Sequence, residues 1–183
     1  RDSSVTGVQT CALPILTLPY FRTLARYNRW GNHRLYDACA KLAEPEYMAK
    51  RPSFFGSIHA TLNHILVGDR LWFARFTGVD TKIKSLDQIL YADFPGLRVA
   101  REAEDAKIVN FVDGIDLPTL NSTLRYKTSS GADQATPVRF VLGHVFNHQT
   151  HHRAQVHGLL SQTSVPPPPL DLIYFLPEEA PQD

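Results

Sequence analysis

Apolar side chains recur at three- and four-residue spacing over four long stretches of the chain, the period of an α-helix with one buried face. The first stretch, 19–42, carries Phe21, Leu24, Tyr27, Leu35, Ala38 and Leu42 at that spacing. The second, "FFGSIHATLNHILVGDRLWFARFTG", gathers Ile58, Leu62, Ile65, Leu66, Trp72, Phe73 and Phe76 on one broad face and ends at Gly78, a residue suited to the left-handed turn after a helix. A third helix is expected from Asp93, a cap with Pro95 in the first turn behind it, to about Val112, where "DGIDLP" breaks the pattern. The last runs over 137–162, opened by Thr136 and Pro137.

Between these stretches, 44–52 reads as a connector, and Ser85 to Gln88 forms a capping-box pattern that predicts a short helix. The segment "STLRYKTSSGADQATP" suits a short hairpin or an ordered loop. "SVPPPPL" cannot be helical and is expected to run extended, laying "DLIYFL" against the helices. No internal repeat is visible. The predicted fold is therefore all-α: an antiparallel four-helix bundle with a short hairpin or loop insertion before the last helix and an extended Pro-rich C-terminal tail. Bundles of this kind build metal and cofactor sites from inward side chains on facing helices.

Composition narrows the function classes. The 183 residues suit one domain, 43% of them are hydrophobic, and 19 Lys and Arg balance 18 Asp and Glu for a formal charge of +1. That balance offers no footprint for nucleic acid or an anionic membrane, and no apolar run approaches the ~20 residues of a membrane span. Residues 1–15, "RDSSVTGVQTCALPI", resemble the translation of a sequencing adaptor and are expected to be a non-native tail, leaving 16–183 as the domain. Cys11 falls in that tail, so Cys39 stands alone within an apolar helical pattern, where a buried, inert thiol is the expected state. A reducing cytoplasm is the natural compartment for such cysteine use.

Chemistry concentrates in "HVFNHQTHHRAQVHGLL", residues 144–160, which hold five of the eight histidines. On a wheel with Val141 at zero, the apolar stripe centres near ~50°, His152 near ~20° and His148 near ~−20°, while His144 and His151 lie on its shoulder at ~−60° and ~−80° and His157 faces away. His148 and His152 are one turn apart, and two neutral imidazoles at that spacing converge on one ion at ~2.0–2.1 Å. A third ligand has to come from another helix. His59 and His64 both lie off the centre of the second helix's apolar face, near ~100° and ~−120°, and the wheel does not choose between them. Asp69 falls in the middle of that face, where a carboxylate needs a partner: a ligand's second ring nitrogen, or an Arg or Lys. His33 reads as a surface or packing residue and His157 as a solvated one.

"YNRWGNHRLYDAC", "TLNHILVGDRLWFARFTG" and "HVFNHQTHHRAQVHGLL", with the closing "PPPPLDLIYFL", resemble the DinB family of damage-inducible bacterial proteins. The resemblance runs from about residue 17 to the end. It implies a four-helix bundle with a divalent metal ion, zinc or nickel, held by one His of the second helix and two of the last. Carried over residue by residue, those ligands are His64, His148 and His152, with His59 or His151 as the alternatives; Ala154 stands where the family commonly has Gly. Three protein ligands leave a position open for substrate. The resemblance further implies a metal-dependent, small-molecule enzyme, such as a thiol S-transferase using a low-molecular-weight thiol in a stress response, and it admits a homodimer. Competing readings are a metal-dependent hydrolase and a metal-binding or dimerising bundle without catalysis.

Overall fold

The computed structural model describes residues 17–128 and 130–179. Among the described residues it is mostly helical, with seven helices and one two-stranded sheet. The four long helices are α1 (Leu18–Cys39), α3 (Ile58–Thr77), α4 (Phe94–Gly114) and α6 (Val138–Leu160); the short ones are α2 (Glu44–Met48), α5 (Leu117–Asn121) and α7 (Leu172–Glu179). Helix α1 packs on α4 and α6, and α3 packs on α6 and α4. Strands β1 (Thr123–Lys127) and β2 (Asp133–Pro137) form an antiparallel hairpin immediately before α6.

Local chemistry explains the helix ends. Thr17, Ser57 and Asp93 accept backbone N–H groups at the starts of α1, α3 and α4, each satisfying a donor that has no partner within its own helix. Gly78 ends α3 with φ +72° and donates its N–H to the Ala74 carbonyl, a conformation that glycine adopts without strain. The expected start of the second helix at Phe54 is corrected to Ile58, because Ser57 takes the cap and residues before it turn.

Three further expectations change. The capping-box pattern at Ser85 does not start a helix; the Gln88 side chain accepts the Lys84 N–H instead and closes a turn. The connector over 44–52 contains α2, which Pro45 starts. The tail is not extended throughout, since "LIYFLPEE" coils into α7 once the proline run ends. Phe175 of α7 is buried against Tyr27 and Trp30 of α1, and the Tyr27 hydroxyl donates to the Leu170 carbonyl. The suspected tail over 1–15, with Cys11, lies outside the described residues.

The apolar core has two parts. One packs Leu35, Tyr36, Ile58, Leu62, Leu66, Leu97, Val156 and Leu160, with Cys39 free and buried beside them; burial pushes its thiol up to about 12. The other packs Phe21, Phe73, Ile108, Val112, Leu142 and Phe146. Charged and polar groups from all four long helices are also buried. Asp69 of α3 accepts from Arg101 of α4 at 2.5 Å and from the Gln149 amide of α6. Arg101 also pairs with Asp105 at 2.9 Å, Asn32 of α1 donates to Asp105 at 2.9 Å, and Arg153 of α6 donates to Asn28 of α1. Burial raises the Asp105 carboxyl to about 6 despite the pull of Arg101, so it is still mostly ionised at neutral pH.

Removing one member of such a network leaves a buried charge uncompensated. Asp69→Ala is expected to lower the unfolding free energy by about 3–5 kcal/mol, read by urea denaturation. A change below about 1 kcal/mol, the worth of an exposed pair, would contradict this account.

Candidate metal centre

Helices α3 and α6 face each other where Ile58–Asp69 is buried almost all round, and their histidines meet there. His64 of α3 and His148 and His152 of α6 bring ligand-capable nitrogens within 4.8 Å of one another. The ring centroids lie 5.3 Å apart for His64 and His148, 4.4 Å for His64 and His152, and 4.3 Å for His148 and His152. His64 and His152 are buried and His148 is half-buried.

Hydrogen bonding assigns the ring protons. His64 Nδ1 lies 2.7 Å from the Leu86 carbonyl and His152 Nδ1 lies 2.8 Å from Gln155 Oε1, so each Nδ1–H donates to an oxygen. Both Nε2 atoms are then bare lone pairs, yet they face each other at 3.2 Å. Two acceptors at that distance repel unless a cation lies between them. Two nitrogens ~2.05 Å from a tetrahedral ion would stand ~3.3 Å apart. The donor set therefore fits a borderline divalent ion, and carbonyl or amide partners on the second nitrogens are the usual support for imidazole ligands.

The walls fix the rings further. Phe55 stacks on His64 at 4.0 Å and meets His152 edge-on at 5.7 Å. Gly68, one turn after His64, admits the third ring: a Cβ there would lie 2.7 Å from His148 Cε1. Burial, then His152 and His64, push His148 down to about 3, so its ring is neutral at physiological pH. Burial also lowers His64 and His152. A cavity of about 790 Å³ opens beside His64 and His148, lined also by Trp72, Arg75, Lys84, Leu86 and His144.

A family model for the DinB family matches residues 15–182. The chain belongs to the DinB family. Protein DinB of Bacillus subtilis (strain 168) is 26% identical over 166 residues, covering 84% of this chain and 91% of that protein.

Within this DinB chain the other histidines are placed elsewhere. His59 bonds to the Tyr47 hydroxyl at 3.0 Å and to Asn63 at 3.2 Å, which occupies both ring nitrogens. His151 is exposed and takes the Gln155 amide at 3.3 Å. His33 pairs with Asp37 at the surface, and His157 is half-buried rather than solvated. Asp69 meets Arg101 and Gln149 rather than a histidine ring. Sequence reasoning missed Phe55, Gly68, Gln155 and the Leu86 carbonyl. Gln155 was within reach, because it lies three residues from His152 on one helix. The Leu86 carbonyl carried no signal, since any residue supplies one.

The His148 shift sets a pH dependence. Its folded value lies below the ordinary 6.5, so the neutral ring adds stability above about pH 6.5 that is lost as pH falls toward 3. The metal-free wild type is expected to lose melting temperature over that interval more steeply than His148→Gln, measured by thermal circular dichroism. Parallel curves would exclude a strongly depressed His148.

Proposed function

We propose that His64, His148 and His152 hold a divalent metal ion, zinc or nickel, in a four-helix bundle of α1, α3, α4 and α6, and that the protein transfers a low-molecular-weight thiol to an electrophile. The observation that carries the metal reading is the pair of bare Nε2 atoms 3.2 Å apart with both Nδ1 protons committed elsewhere. Cavity volume beside the cluster supports catalysis over a purely structural site, because structural ions are enclosed by protein ligands.

When bound, such an ion supplies Lewis acidity that lowers the pKa of a thiol and favours the thiolate nucleophile. The chain's own residues do the rest. Leu86 and Gln155 hold two rings at fixed angles, Phe55 covers one side of them, and Gly68 leaves the third ring its place. The neutral imidazoles leave their lone pairs available. Hydrolysis has less support, since it calls for a carboxylate base beside the ion, and Asp80 is the one acid among the described residues lining the cavity. His64, the ligand taken from family resemblance rather than from helical periodicity, is the residue on which the three-ligand set depends.

Elemental analysis tests the ligands. Wild type is expected to carry about one ion per chain, and His148→Ala to lose at least tenfold in affinity, as removal of one of three ligands requires. Equal metal content in both would remove the site. Conjugation of thiols to electrophiles by the metal-replete protein, abolished by chelation, tests the reaction; inertness toward a broad panel would reject it.

A second expectation concerns Gly68. Gly68→Ala drives a methyl group into His148 and should weaken metal binding by about tenfold or more, the scale of supporting-residue losses, while the far-ultraviolet circular dichroism stays unchanged. Undiminished affinity would show that His148 has freedom to move without leaving the ion.

A further inference from the structure

The cavity beside the histidines also contains a cation that pairs with no acid among the described residues. Arg75 lies in the last turn of α3, half-buried, with its guanidinium 4.1 Å from the Trp72 ring centroid and 4.8 Å from that of Tyr126. Among the described residues it makes no ion pair and no hydrogen bond. Every other charge on the wall is accounted for differently: Lys84 is exposed, Lys127 is paired with Asp133 at 2.8 Å, and Asp80 accepts the Lys82 backbone N–H.

An arginine stacked on aromatic rings keeps its planar fork in one orientation while all five N–H donors stay available, and that is the geometry for a bidentate carboxylate. The aromatic seat is continuous with the metal centre. Trp72 meets His144 edge-on at 4.8 Å, and His144 lies 5.8 Å from His148. Gly68, which touches His148, and Arg75 are seven residues apart on one helix, about 10 Å along its axis. An extended molecule in this cavity reaches from the His64 and His148 imidazoles to the guanidinium.

We propose that Arg75 is the anion anchor of this cavity and selects a thiol that bears a carboxylate at the far end of an extended chain. The sulfur end rests on the thiol reading of the histidine cluster; the carboxylate end rests on Arg75 alone. Arg75 is then a specificity-determining residue, distinct from the metal ligands.

The probes are 6-mercaptohexanoate and its neutral counterpart of equal length, 6-mercaptohexan-1-ol, titrated calorimetrically into the full chain loaded with cobalt(II). Wild type is expected to bind the carboxylate at least about tenfold more tightly, the worth of a charge-assisted hydrogen-bonded pair. Arg75→Gln should bring the two thiols within about twofold, with cobalt content unchanged, and Arg75→Lys should keep part of the preference. Equal affinities in wild type overturn the anchor, as does a preference undiminished in Arg75→Gln. The sulfur-to-cobalt absorption band is read separately: its absence alongside an Arg75-dependent preference rejects the thiol reading and leaves the anchor standing.

Discussion

A carboxylate without access to water governs the arrangement of this molecule. Asp69 sits within α3 and has to be met by donors, because an unpaired buried charge is far more unfavourable than a poor apolar contact. Arg101 of α4 and Gln149 of α6 meet it. Arg101 also holds Asp105, which takes bonds from Asn28 and Asn32 of α1, and Asn28 in turn accepts from Arg153 of α6. The bonds thus link all four long helices. Two acids and two guanidinium groups are buried together, so the net charge of the cluster is near zero. Apolar faces tolerate sliding and rotation; hydrogen bonds with defined angles do not.

That constraint positions the histidines. Gln149 neighbours His148, and Asp69 neighbours Gly68, the residue that makes room for the His148 ring. The bond between Gln149 and Asp69 therefore sets the approach of α3 to α6 directly beneath the cluster. Above it, the loop after α3 is held by two adjacent side chains. Asn63 accepts from the Leu90 and Tyr91 backbone, and His64 donates to the Leu86 carbonyl. The loop in turn fixes the His64 tautomer. Ring orientation and loop position are one interaction seen from two sides.

The site joins a rigid, desolvated half to an open half. Phe55 and the α3–α6 contact desolvate His64 and His152, while His148 and one side of His64 face the cavity. The lone pairs are kept available by burial, which disfavours the imidazolium form in each of the three rings. Trp72, Arg75 and Lys127 continue the cavity wall toward the hairpin, so β1 contributes to the cavity's shape as well as to the start of α6.

Helical periodicity is a local property, and the residues that depend on it were legible: the four long helices, the glycine at the end of α3, and the pairing of His148 with His152 one turn apart. His64 was not legible from its wheel position, because α3 is buried on more than one side and a single apolar stripe does not describe such a helix. Asp69 announced that it needed a partner without naming one. Its partners lie 32 and 80 residues away, and the Leu86 carbonyl lies 22 residues from the ring it holds. The amino-acid order determines which side chains share a helix face, since 3.6 residues make a turn wherever the helix stands. Only tertiary packing decides which faces meet, because a hydrogen bond or a shared ion depends on approach within about 3 Å between groups that sequence distance does not constrain.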